Sequence, residues 1–376
     1  MKTKKDTVLI VTKHPDSKGG VVSYYKNFFK AFDDEQFDLE WFTIGSRPGS
    51  YEKRLNRKAS YLLETILDVL RFIFLLLTRA DIKLVQVNPS FIPIPLGRDA
   101  IYVDLARLFR KKTISFFRGW SKQYEAKVLS SSRLQKKILK NYSKVNYSFV
   151  LAEKFKKVLV DIGMDGNKIE VTRTMFDKKN IVTGQGLKKS TEDLNFIYLG
   201  RLSEPKGVFD LVEALKILYN KGKKVNMNLY GHYTTPEFEK QLKSKNLDEL
   251  KGVNFMGYVD GLDKFEALAQ ADVFVFPSHN EGCPNALIEA MASGLYCICT
   301  PVGAMDELIL DKHSGRIIPI NNPKEIANEL LWCLENSNVI RQKGPINANI
   351  AFKDLEQTVV ISRFKTIYTS LVYSTN

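Results

Sequence analysis

Short apolar runs alternate with amphipathic segments along nearly the whole of this 376-residue sequence, and the alternation lapses once. In the first half, residues 8–12, 37–44, 83–87, 113–117 and 145–150 read as strands. Residues 21–31, 59–77, 99–109 and 153–162 read as helices between them, the last with Gly163 just past its end as a C-cap residue. Around 178–193 the pattern gives way to a polar, glycine-containing stretch that includes 184–190, which reads as a linker. It then restarts, with strands at 196–199, 225–230, 253–255, 273–276 and 296–300 and helices at 208–220, 236–245, 262–270 and 286–293. Helical patterns at 323–336 and 354–373 close the chain. Such alternation implies right-handed βαβ units and parallel sheets covered on both faces. The chain is also too long for one ordinary core. The expectation is therefore α/β: two Rossmann-like domains, 1–180 and 194–350, with 351–376 a helix returning toward the first. Parallel sheets side by side would face each other across a cleft, and ligands sit outside the carboxyl ends of such strands.

Charge separates the halves. Residues 1–190 hold 37 Lys and Arg against 19 Asp and Glu, a net of +18; the remainder holds 19 against 23, a net of −4. One half is suited to a polyanion: nucleic acid, an anionic lipid surface or a pyrophosphate-bearing acceptor. A solvated basic face that aids solubility would read the same way. No run of twenty apolar residues predicts a spanning helix. The N-terminus runs directly into the first strand without the apolar region of a secretion signal. Cys283, Cys297, Cys299 and Cys333 have neither metal spacing nor a disulfide pattern, so a cytoplasmic protein is expected.

The densest chemical signal runs from Pro277 to Gly294: PSHNEGCPNALIEAMASG. An apolar strand ends, a polar loop follows, and a helix starts near Asn285, which reads as its N-cap. Free N–H groups at a helix start attract phosphate oxygens. Glu281 before the helix and Glu289 about one turn inside it are suited to accept sugar hydroxyls from one ligand. A second signal, LGRLSEPKG at 199–207, places Arg201 and Lys206 directly after a strand. A guanidinium fork and a mobile ammonium suit a diphosphate, and both contacts strengthen as a leaving group gains charge.

These segments resemble the retaining GT-B glycosyltransferases of family 4, also called group 1. Glu281 and Glu289 match the E-x7-E motif of that family within E-G-x-P-N-x-L-x-E-A-M-A-x-G. The resemblance implies that Glu281 contacts the donor sugar, Glu289 the nucleotide ribose, and Arg201 with Lys206 the diphosphate. Backbone N–H groups of Gly282, Cys283, Asn285 and Ala286 would face the sugar or diphosphate, while Pro284 has none to give. Gly257, Tyr258 and Val259 resemble the F-x-G-x-V loop whose backbone meets the nucleobase. Gly19 and Gly20, after the first strand, match a Gly-Gly loop that allows close approach to a diphosphate or acceptor. Two segments depart from the family wording. Residues 301–307 carry Ala304 and Asp306 where Gly and Pro are usual, and the turn at 229–232 has His232 in place of a second Gly.

Arg118, in the strand-end segment 114–120, stands where many relatives have His. Front-face transfer needs no enzyme base, so activity does not depend on that His. Arg118 is expected to meet a sugar hydroxyl, a sugar carboxylate or an acceptor phosphate, or else to pair with an acidic rim. Along helix 59–77, Glu64, Asp68 and Arg71 share one face and apolar residues cover the rest. Packing of this helix on the sheet is favoured over burial in a membrane. Basic sets at 53–58, at Arg107, Arg110, Lys111 and Lys112, and at Arg133, Lys136, Lys137 and Lys140 could hold the first domain peripherally on the inner face of the cell membrane. The resemblance thus implies a nucleotide-sugar donor, UDP-linked in preference to GDP-linked. The acceptor would be a glycan or a polyprenyl-pyrophosphate-linked sugar in cell-surface polysaccharide synthesis. No cofactor or metal is called for. Alternatives are an epimerase or phosphorylase on the same architecture, a sugar-nucleotide-binding subunit without activity, and a nucleic-acid binder. The last lacks any zinc-finger or RNA-binding signature.

Overall fold

The computed structural model describes residues 5–17, 19–45, 58–182, 193–245, 250–310 and 312–374. Lys18, the linker 184–190 and the side chains of the basic tract 53–58 lie outside the described residues. The chain forms two compact units, Met1–Arg173 with Gln357–Asn376, and Thr174–Glu356. The first crossing between them falls at Arg173/Thr174, ahead of the polar stretch read as the linker.

In the first unit the order is β1 (Asp6–Thr12), α1 (Gly20–Ala31), β2 (Phe37–Thr43), α2 (Lys58–Thr78), β3 (Ile82–Val87), β4 (Ser90–Phe91), α3 (Pro93–Leu108), β5 (Lys112–Phe117), β6 (Gly119–Trp120), α4 (Lys122–Leu129), α5 (Ser132–Tyr142), β7 (Tyr147–Val150), α6 (Glu153–Asp161) and β8 (Ile169–Val171). The main sheet is β2-β1-β3-β5-β7-β8, parallel throughout. Val8, Leu9, Ile10 and Val11 are all fully buried, as a central strand covered on both faces requires. β4 and β6 pair separately beyond the carboxyl ends of β3 and β5. A Cβ on Gly119 would lie 2.6 Å from Ser90 Oγ, so this pairing depends on the missing side chain.

The second unit contains β9 (Asn195–Leu199), α7 (Val208–Asn220), β10 (Asn226–Tyr230), α8 (Pro236–Lys243), β11 (Val253–Gly257), α9 (Gly261–Ala269), β12 (Val273–Phe276), α10 (Asn285–Ala292), β13 (Tyr296–Cys299), α11 (Met305–Leu308), β14 (Gly315–Ile317), α12 (Pro323–Glu335) and α13 (Ser337–Asp354). Its sheet, β11-β10-β9-β12-β13-β14, is also all parallel. The last helix, α14 (Gln357–Tyr373), belongs to the first unit. There Phe364 packs within 5.1 Å of the Phe28 ring and 4.4 Å of Phe149, and the Tyr368 hydroxyl donates to Gln86 Oε1.

Three differences from the sequence reading have physical causes. α3 begins at Pro93, not near 99, because prolines that break a helix interior are accommodated in its first turn. α13 is one helix despite Gly344 and Pro345. A Cβ at Gly344 would lie 2.0 Å from Gly294 O, and Asn347 donates to Leu295 O and Ser314 O at 2.7 and 2.8 Å. Tertiary contact therefore holds a segment of poor helix propensity. In α2, Asp68 is fully buried: its carboxylate accepts from the Gly45 amide at 3.0 Å and from Arg71 at 2.6 Å. Phe72 packs between Phe42 and Tyr102, at 5.2 and 5.1 Å, so the helix does pack on the unit's core. Leu63, Ile66, Leu67, Leu70, Phe74 and Leu77 are exposed on the outer side.

Candidate functional site

In the second unit the chain moves outward in opposite directions from β9, to β10 on one side and to β12 on the other. The loops after β9 and β12 therefore lie side by side at the topological switch point, where open α/β sheets bind ligands. These are the two loops that carry Arg201 and Lys206, and Glu281 through Pro284. Direct bonds join them: the His279 amide donates to Pro205 O at 3.0 Å, and the Ser278 hydroxyl to the same oxygen at 3.2 Å. Gly207 has φ +67°, and a Cβ there would lie 2.0 Å from Pro277 O. The loop after β13 closes from the other side. The Ala304 amide donates to Gly282 O at 2.7 Å, and Gly303, at φ +59°, has no room for a Cβ against the same oxygen. Ala304 in place of glycine thus leaves this loop able to grip the Gly282 segment.

Within this frame Lys206 Nζ donates to Glu281 Oε1, both side chains being mostly buried. Glu289 pairs with Lys264 of α9 at 2.8 Å. Burial raises the Glu289 carboxyl above its ordinary value of 4.5, and Lys264 pulls it back down. The N-cap of α10 is Pro284, not the expected Asn285. Proline at φ −71°, ψ 129° supplies the extended residue, so Asn285 is already the first helical residue. No side chain caps this end and no acid lies in its first turn, which leaves the Asn285 and Ala286 N–H groups without a side-chain acceptor. Cys283 is buried, its thiol 3.2 Å from the Thr174 hydroxyl, so it offers its backbone and not its sulfur. Arg201 is exposed, its carbonyl held by the Tyr198 hydroxyl at 2.8 Å.

Along the same sheet edge, a Cβ at Gly231 would lie 1.8 Å from Gly200 O, and the Gly231 amide donates to Gly257 O at 2.8 Å. These contacts join the ends of β9, β10 and β11. His232 faces the exposed Tyr258 ring with centroids 5.8 Å apart, and a cavity of about 390 Å³ opens beside Gly231, His232, Thr235, Glu239, Gly257 and Tyr258. Val259 follows directly at half-buried depth. Lys264, the partner of Glu289, was missed by sequence reading because it belongs to no recognisable motif. The contact of the His279 ring with Asp210, at 2.6 Å, was missed because the two residues lie 69 positions apart in the chain.

Gly19, Gly20 and Arg118 lie in the first unit. Gly19, at φ +135°, is the N-cap of α1 and Gly20 its first residue, again without a capping side chain. Arg118 is 7% exposed and stacks on Tyr24, its Cζ 3.7 Å from the ring centroid. No carboxylate among the described residues pairs with it, so the expected alternative of an acidic rim is not found.

Over 97% of its length the chain superposes on all of Anabaena HepE in complex with UDP, with a TM-score of 0.75 at 15% identity. It matches sucrose-phosphate synthase from Thermosynechococcus elongatus equally well, at 0.75 over 98% of this chain and 99% of that one, with 16% identity. The fold is GT-B. Within the GT-B chain, residues 193–336 match the family model described as glycosyl transferases group 1, a span that holds both loops of the switch point. Phosphatidyl-myo-inositol mannosyltransferase of Mycobacterium tuberculosis is 28% identical over 184 residues, 47% of each chain. Capsular polysaccharide biosynthesis glycosyltransferase CapM of Staphylococcus aureus is 27% identical over 211 residues, 54% of this chain and 50% of that one. The chain thus spans about half the length of the curated relatives it matches.

Proposed function

We propose that this chain is a retaining glycosyltransferase of family 4. It moves a hexose-type sugar from a nucleotide diphosphate sugar, UDP-linked by preference, to a glycan or polyprenyl-pyrophosphate-linked acceptor in cell-surface polysaccharide synthesis. The observation that carries this reading is the switch point of the second unit. There the Lys206–Glu281 and Lys264–Glu289 pairs accompany the uncapped start of α10 on adjoining loops.

The α10 N–H groups with Arg201 and Lys206 bind the diphosphate, Glu281 accepts hydrogen bonds from sugar hydroxyls, and Glu289 accepts them from the ribose. The β11 end, Gly257 to Val259, receives the base. As the bond from C1 to the diphosphate oxygen breaks, Arg201 and Lys206 meet the charge that develops there. The acceptor oxygen bonds to C1 on the same face, its proton passes to the departing diphosphate, and the anomeric configuration is retained. Because the two cations meet the leaving-group charge, the step calls for no divalent metal.

The relatives' printed names, a phosphatidyl-myo-inositol mannosyltransferase and a capsular polysaccharide glycosyltransferase, support an acceptor at a cell envelope. So does the outer side of α2, six large apolar side chains on a unit rich in Lys and Arg. We take the partner of that surface to be an anionic membrane, on the cytoplasmic side, in preference to nucleic acid. We take the attachment to be peripheral; no helix among the described residues is long and apolar enough to cross a membrane.

Calorimetric titration with UDP, GDP and ADP tests the donor. UDP is expected to bind, and Glu289→Ala to weaken it by roughly ten- to a hundredfold, the worth of hydrogen bonds to a charged group. Binding of GDP alone would move the donor to a GDP-sugar. Binding of none would remove the glycosyltransferase reading.

A further inference from the structure

The first unit contains a cation that no carboxylate among the described residues neutralises. Arg118 follows β5 directly, its amide donating to Pro89 O at 3.1 Å, so the residue is anchored beside the segment that follows β3. Its guanidinium is enclosed by aromatic rings: Tyr24 at 3.7 Å, Phe116 at 4.7 Å and Tyr25 at 5.9 Å from Cζ. Nε and Nη1 are buried and donate to no atom of the described residues. Tyr24 and Tyr25 lie in the first turns of α1, whose N-terminus has no capping side chain and no acidic residue in its first turn.

Stacking on rings offsets part of the cost of burying a guanidinium, but it leaves the in-plane N–H groups without acceptors. A buried charge is ordinarily held by a partner of opposite sign. A neutral hydroxyl would accept one N–H and leave the charge uncompensated. A carboxylate or phosphate accepts two in the guanidinium plane and supplies the counter-charge.

We infer that Arg118 is a specificity residue that binds an anionic oxygen group of a substrate, the carboxylate of an acidic sugar or a phosphate of the acceptor. This deepens the glycosyltransferase reading and rests on it for the word substrate. The anion site itself rests on Arg118 alone.

The test follows the Nε–H resonance of Arg118 by nitrogen-15 NMR in the full chain, assigned by its loss in Arg118→Lys and again in Arg118→Gln. Saturating UDP is present throughout, so that the diphosphate loops of the second unit are occupied. Sodium glucuronate, inorganic pyrophosphate and glucose are titrated separately. A saturable shift with glucuronate alone assigns a sugar carboxylate, and one with pyrophosphate alone assigns a phosphate. A shift with both supports the anion site in general. If neither anion moves the resonance more than glucose does, the inference is wrong and Arg118 is a packing residue. UDP affinity is measured on the same samples. UDP binding without an anion response overturns this inference only, while an anion response without UDP binding overturns only the glycosyltransferase reading.

Discussion

Glu289 illustrates what a single residue gains from its surroundings. On the surface it would be an ordinary carboxylate; here burial raises its pKa and Lys264 opposes the rise. In the proposed donor site Glu289 accepts ribose hydroxyls as a carboxylate, so UDP affinity should decline as pH falls through its raised pKa. Lys264→Met removes the opposing charge. Glu289 then holds its proton to higher pH, and the decline should begin correspondingly higher. UDP dissociation constants between pH 5 and 9 read this out, and superimposable profiles for the two proteins would deny Lys264 that role. Glu281, Glu289, Arg201 and Lys206 stood out in the sequence because the segments that hold them resemble motifs of a known family, each within one loop or helix start. Lys264 was not, since it reaches Glu289 from another helix, 25 residues away along the chain. Arg118 was legible as a departure from a pattern, but its burial among three rings was not.

At the scale of elements, the switch point is held by backbone contacts that tolerate no side chain. Gly207→Ala places a methyl against Pro277 O and a non-glycine residue in the left-handed region. The conformational part alone costs about 1–2 kcal/mol, and relief of the clash would push the Lys206 loop away from the Glu281 loop. UDP affinity should fall by about tenfold or more, a factor that corresponds to 1.4 kcal/mol. Calorimetry checks this, and unchanged affinity would mean the two loops need not touch for donor binding. Strongly patterned elements were read to the residue, as with the 13-residue α7 and the four-residue, wholly apolar β12. Among the elements that escaped were α4 and α5, in a stretch read only for its basic residues, and others that are short or locally ambiguous. β8 and β14 are three-residue strands that exist because a neighbour offers them a ladder. α13 carries a Gly-Pro pair that argues against a helix until its packing on Gly294 is known.

For the whole molecule, the division of charge and the orientation of α2 bear on where the protein works. The outer stripe from Leu63 to Leu77, on a unit with excess Lys and Arg, should give binding to vesicles of anionic lipid that weakens with added salt. Replacing Leu70 and Phe74 by Ser should reduce that binding without loss of UDP affinity, since neither residue belongs to the donor site. Co-sedimentation with phosphatidylglycerol vesicles, against phosphatidylcholine alone, measures it. Equal binding to both lipids at all salt concentrations would reject the electrostatic part, and no binding to either would reject the surface.

The sequence by itself determined the α/β class, the two-part organisation and which loops hold the motif residues. Strand burial, helix periodicity and helix-start chemistry are local properties, written in neighbouring residues. Tertiary structure alone decided which face of α2 turns inward, where the chain passes from one unit to the other, and that α14 completes the first unit's core. It also decided that Lys206 meets Glu281 and Lys264 meets Glu289. Those outcomes depend on contacts between residues far apart in the chain, whose energies have no counterpart in any local pattern.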